Sequence, residues 1–207
     1  MEALILVDLQ NDFCAGGALA VHDGDSVVAV ANALMPRFAL TVATQDAHPP
    51  GHLSFAANHP GLALYQQIEL DGLPQVLWPV HCVAGSAGAD LHPALAQAQI
   101  GKVFQKGTDP RIDSYSGFFD NGHRKATGLG DYLKSVGVET VTVLGLATDY
   151  CVKWTALDAL QLGFRVQLVT DGCRGVGLRP SDIADALAEL ARAGVVMTSS
   201  AALLAHR

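Results

Sequence analysis

The sequence predicts one α/β domain over residues 1–207, with three layers (α/β/α) built on a mostly parallel sheet of about six strands. Three observations predict it. Short, β-branched apolar runs alternate with stretches of helical periodicity, the pattern of a parallel sheet covered by helices. Half of the 207 residues are hydrophobic, enough for one sizeable core. Residues able to do chemistry close successive apolar runs, as happens where an α/β sheet carries its site at the carboxyl ends of its strands.

Taken in order, strands are expected over 4–8, 40–44, 102–105, 140–146, 165–170 and 195–198, and helices over 26–38, 93–98, 130–136, 151–162 and 181–193. The first run, Leu4-Ile5-Leu6-Val7, is apolar throughout and ends at Asp8. It has no basic segment before it and acids at both ends, so it reads as a strand and not as a secretion signal. Glu139-Thr140-Val141-Thr142-Val143-Leu144 reads as a buried strand. Val152, Ala156, Ala159 and Leu160 then recur at helical spacing until Gly163. Ser181 is placed to cap the last of these helices and Gly194 to stop it. The Pro-, Gly- and His-rich stretch over 46–89 is too long for a passive connection.

A net charge of −7 argues against a nucleic-acid or anionic-membrane surface, and no apolar run is long enough to span a bilayer. Four widely spaced cysteines without a CxxC pair point to free thiols and a reducing cytoplasm. The expected partner is a small molecule. Assembly into a homo-oligomer is compatible with the composition.

The chemistry gathers at strand ends. They carry Asp8, Gln45-Asp46 and Gln105-Lys106, and the fourth strand runs into Gly145-Leu146-Ala147-Thr148-Asp149-Tyr150-Cys151-Val152. No glycine-rich phosphate loop follows the first strand, which speaks against a dinucleotide or flavin fingerprint. A lone cysteine is more often packed core than nucleophile. A thiol at a helix start, however, is expected to ionise below its free pKa of about 8.5. Asp8 is a candidate acceptor for its proton and Lys106 a candidate counter-charge. The tight turn before Cys151 is placed to aim backbone N–H groups at an oxyanion. Asp46 and His48, two apart in an extended segment, face the same way. With His81 they make two imidazoles and a carboxylate, a set suited to zinc, iron or manganese. His22, His59, His92, His123 and His206 have no comparable context and are expected at the surface or behind the site.

Together these residues resemble the nicotinamidase/pyrazinamidase family of the isochorismatase-like cysteine hydrolases. The resemblance runs from Leu6 to about Asp171 in five ordered blocks. They are Val7-Asp8-Leu9-Gln10-Asn11-Asp12-Phe13-Cys14 with Gly16-Gly17-Ala18-Leu19; Asp46-Ala47-His48-Pro49 with His52 and Ser54-Phe55; Trp78-Pro79-Val80-His81-Cys82; Lys106-Gly107-Thr108 with Asp113-Ser114-Tyr115-Ser116-Gly117-Phe118; and the segment from Gly145 to Val152.

The resemblance implies the isochorismatase-like hydrolase fold and deamidation of nicotinamide to nicotinate and ammonia, in NAD salvage, with pyrazinamide as a second substrate. It implies a catalytic triad of Asp8, Lys106 and Cys151, a cis peptide at Leu146–Ala147, and an oxyanion hole from the Ala147 and Cys151 amides. It implies one divalent ion, zinc before iron or manganese, on Asp46, His48 and His81, with His52 as a further ligand in some members. Phe13 and Trp78 would wall the pyridine ring, and Tyr115 would line the same pocket. Ala47 departs from the aromatic residue that the family often carries there, which removes bulk beside the metal and bears on substrate preference. Two other readings stay open: a relative acting on a carbamoyl or ureido substrate, and a catalytically silent relative.

Overall fold

A computed structural model describes residues 1–205; His206 lies outside the described residues. Six parallel strands form the main sheet: β1 (Glu2–Val7), β2 (Leu40–Asp46), β5 (Lys102–Lys106), β6 (Thr140–Leu146), β7 (Arg165–Arg174) and β8 (Val196–Thr198). Their order is β5-β2-β1-β6-β7-β8. The chain fills one half outward from β1 and the other from β6, so strand order reverses between these two. β1, fully buried from Ala3 to Val7, lies at this switch point.

Five helices flank the sheet: α1 (Ser26–Leu34), α2 (Leu129–Ser135), α3 (Lys153–Gln161), α4 (Asp182–Ala193) and α5 (Ser200–Ala205). α1 and α5 pack together over the β6–β7 region, and α3 lies against β7 and α4. This is the three-layer arrangement expected from the alternation. α1 stops short of 38 because Pro36 lacks an amide hydrogen and turns the chain into a short 3-10 segment, Met35–Arg37. Gly194, at φ 104°, ends α4 as expected. Ser181 precedes that helix, but its side chain makes no capping bond.

The helix expected over 93–98 does not form; there is a 3-10 turn at Gln97–Gln99. Neighbouring side chains satisfy that backbone sideways. Asn32 donates to the Ala94 carbonyl and accepts from the Ala96 amide, both at 2.8 Å, and His92 Nδ1 accepts from the Ala94 amide. The long segment after β2 holds an unexpected antiparallel hairpin, β3 (Gln67–Leu70) with β4 (Leu73–Val76). Its turn is Asp71-Gly72, both at positive φ, a two-residue hairpin signal present in the sequence.

Candidate active site

Asp8, Asp46, Lys106 and Cys151 sit at or just beyond the carboxyl ends of four sheet strands. Asp46 and Lys106 are register partners at the facing ends of β2 and β5. Asp8 is the residue after β1, turned out of the strand by a left-handed backbone at φ 49°. A non-glycine residue there costs on the order of 1 kcal/mol or more, an outlier of the kind that gathers at functional sites. Cys151 follows β6, where Gly145 has no substitute: a Cβ would lie 2.1 Å from the Val7 carbonyl oxygen. The Leu146–Ala147 peptide is cis.

The sequence placed Cys151 at the start of an α-helix. It lies instead in a wider π-helical turn, Thr148–Val152, before α3 begins. The Val152 amide reaches back five residues to the Ala147 carbonyl at 3.1 Å, and the Tyr150 amide donates to the same oxygen. The expected low thiol pKa is not found. Burial pushes the Cys151 thiol well above the ordinary range, outweighing the opposing pull of Lys106, and Asp8 adds to the rise.

One ammonium ties the cluster together. Lys106 Nζ donates to Asp46 Oδ1 at 2.6 Å and to the Ser114 carbonyl at 2.8 Å. It lies 2.9 Å from Asp8 Oδ2 and 3.4 Å from Cys151 Sγ. The side chains of Lys106 and Asp8 have no solvent exposure. Burial works against the charge on Lys106, but Asp46 and Asp8 hold its pKa well above the usual value. Burial also raises the Asp8 carboxyl, against the pull of Lys106. The Thr44 hydroxyl donates to Asp8 Oδ1 at 2.6 Å.

Beside this cluster the ligand atoms of Asp46, His48 and His81 lie within 4.8 Å of one another, all three residues buried. His48 Nδ1 meets the Gly107 carbonyl at 2.9 Å and His81 Nδ1 meets the Pro79 carbonyl at 2.8 Å. A carbonyl takes only a donor, so Nδ1 carries the proton in both rings and Nε2 keeps its lone pair. His48 Nε2 is buried without a hydrogen-bond partner. An orphaned acceptor beside a carboxylate and a second imidazole fits a divalent metal. Burial and the neighbouring His48 lower the His81 pKa to about 4.

His52 stands differently. Its Nδ1 accepts the Ser54 amide at 3.0 Å, which puts the proton of the neutral ring on Nε2. It groups with His48 and Asp113, and not with the Asp46–His48–His81 set. Phe13 and Trp78 are buried, and Phe13 packs 5.5 Å from the His81 ring. Tyr115 Oη accepts from Trp78 Nε1 at 3.2 Å. Ala47 is buried, its amide bonded to the Lys106 carbonyl.

Sequence reasoning missed several members of this neighbourhood. Asp113, buried, has an oxygen 4.0 Å from His48 Nε2; it stood inside a quoted motif but was given no role. Tyr150 packs edge-on to Trp78 at 4.7 Å and 5.4 Å from Tyr115. The Gln10 side chain donates to the Asp46 carbonyl and accepts the Asp46 amide, both at 2.8 Å, holding Asp46 like an added strand. No local pattern announces such long-range pairings.

A thiol, a carboxylate and an ammonium meeting at the switch point of a parallel sheet, beside a metal-suited cluster, define the isochorismatase-like class of α/β domains. The chain belongs to the isochorismatase family, whose sequence model, described as the isochorismatase domain, matches residues 2–202. It is 56% identical over 200 residues to a nicotinamidase of Escherichia coli, covering 95% of this chain and 93% of that protein. Among solved structures it is similar to a nicotinamidase/pyrazinamidase of Acinetobacter baumanii, with TM-score 0.95 and 45% identity over 98% of this chain and 97% of the other. It is also similar to the pyrazinamidase of Pyrococcus horikoshii in complex with zinc, with TM-score 0.79 and 36% identity over 96% and 98% of the two chains.

Proposed function

We propose that this protein is a nicotinamidase, hydrolysing nicotinamide to nicotinate and ammonia in NAD salvage, with pyrazinamide as a second substrate. One observation carries the reading. Cys151, Asp8 and Asp46 meet around the single buried ammonium of Lys106, in a chain 56% identical over nearly its whole length to a nicotinamidase.

Burial, with Asp8 adding to it, raises the Cys151 thiol well above its ordinary range, so the reaction starts from the thiol. Asp8, a stronger base than an ordinary aspartate, takes the proton as sulfur attacks the carboxamide carbon. Lys106 balances the charge moving between sulfur and carboxylate. The Ala147 and Cys151 amides receive the oxyanion. The C–N bond then breaks, ammonia leaves with the proton from Asp8, and a thioester remains. Asp8 next takes a proton from water, whose oxygen attacks the thioester. The C–S bond breaks, the thiol regains its proton from Asp8, and nicotinic acid leaves, giving up its carboxyl proton to solvent as nicotinate. Phe13, Trp78 and Tyr115, with Tyr150 beside them, hold the ring.

Asp46, His48 and His81 would hold the divalent ion; His52, whose Nδ1 accepts the Ser54 amide, would not be a fourth ligand through that nitrogen. The donor set supports zinc. Bound there, the ion supplies a Lewis acid to a lone pair of the substrate. One domain over 1–207 working in the cytoplasm accords with four free cysteines among the described residues, none of whose helices is long and apolar enough to cross a membrane.

The test is ammonia release from nicotinamide, pyrazinamide and ureido amides, with metal content measured on the same preparation. Nicotinamide turnover that Cys151→Ala abolishes in a folded protein is expected. Turnover confined to ureido amides, or retained by Cys151→Ala, would overturn the reading.

A further inference from the structure

Asp149 lies in the π-helical turn two residues before Cys151 and is buried, yet its carboxylate touches none of the reacting groups. Both of its oxygens are engaged elsewhere. Oδ1 accepts the Val176 amide at 2.9 Å and Oδ2 accepts the Gly177 amide at 2.8 Å. These amides belong to the segment that leaves β7, whose last residues, Cys173 and Arg174, pair with Gly145 and Leu146. The segment is shaped for the carboxylate. A Cβ on Gly175 would lie 3.0 Å from Asp149 Oδ1 and 2.5 Å from the Ile183 side chain, and Gly177 sits at φ +62°.

Two charge-assisted bonds to consecutive amides clamp the turn to the neighbouring strand's end. We propose that Asp149 is a positioning residue, setting the backbone of residues 147–151 so that the Cys151 sulfur and the oxyanion-binding amides face the reacting carbon together. The inference rests on the proposed amide hydrolysis.

The test compares wild type with Asp149→Asn and Asp149→Glu. Asn keeps the size but turns an N–H toward an amide; Glu restores two acceptors. Four quantities are measured: kcat and KM for nicotinamide, the Ki of pyridine-3-carbaldehyde, and the Ki of nicotinate. The aldehyde accepts the thiol across its C=O, the thiol proton passing to the new oxygen, and so demands the oxyanion geometry. Nicotinate does not. Asp149→Asn is expected to lower kcat by about 10- to 100-fold, as for a small misplacement of reacting groups. It should weaken the aldehyde by a similar factor, leaving KM and the nicotinate Ki within about threefold. Asp149→Glu should recover part of the loss. A folded Asp149→Asn protein with wild-type kcat and aldehyde affinity would overturn the inference. So would equal weakening of aldehyde and nicotinate. A wild type that neither turns over nicotinamide nor binds the aldehyde would instead defeat the hydrolase reading itself.

Discussion

Lys106 and Asp46 face each other across the ends of two neighbouring strands with 2.6 Å between ammonium and carboxylate, and both side chains are removed from solvent. The contact joins the thiol cluster to the metal-suited cluster, because Lys106 also reaches Asp8 and Cys151 while Asp46 stands with His48 and His81.

Removing that ammonium leaves two buried carboxylates facing each other. Lys106→Met is therefore expected to cost about 3–5 kcal/mol of stability, the usual penalty for breaking a buried pair from one side. It should also abolish ammonia release. Urea unfolding monitored by circular dichroism checks the first expectation, and unchanged stability would contradict the charge pairing.

The two classes of histidine predict different metal contents. His48→Ala should lose the ion, since its Nε2 is the orphaned acceptor of the cluster. His52→Ala should retain most of it, because the Ser54 amide already occupies Nδ1. Gly107→Ala should behave like His48→Ala: its Cβ would fall 2.4 Å from His48 Cε1, at a backbone φ of +65°. Elemental analysis of the purified variants separates them, and loss of metal from His52→Ala alone would reverse the assignment.

His81 sets a pH dependence for the metal-free protein. Its pKa is about 4 in the fold against 6.5 in the open chain, so the unfolded state binds the proton first as pH falls. Stability is present above 6.5 and drains away between 6.5 and 4, by about 3 kcal/mol at 1.36 kcal/mol per pH unit. Urea midpoints of chelated protein should fall across that window, and less steeply in His81→Asn. A flat profile would contradict a neutral buried imidazole.

The strand ends were legible because chemistry and periodicity coincide there. An apolar run marks a buried strand, and a polar residue closing it can only stand at the sheet's rim, so Asp8, Asp46, Lys106 and Cys151 are gathered by sequence pattern alone. The helix expected over 93–98 failed for the opposite reason, since Asn32, distant in sequence, satisfies that backbone. Asp71-Gly72 was readable as a hairpin turn but lay within a stretch whose composition masked it.

By itself the sequence determined the α/β class, the strand-end residues and, through five ordered motifs, the family resemblance, because these depend on local pattern and order. Only the tertiary structure decided that Lys106 holds two carboxylates and the thiol at once, that His48 and His52 carry their protons on different nitrogens, and that burial raises the thiol's pKa. Each of those depends on burial and on partners distant in sequence, such as Asp8 for Cys151. The ionisation of Cys151 shows the difference most sharply. Its place at an expected helix start promised a low pKa, but the loss of water around the sulfur outweighs the nearby ammonium.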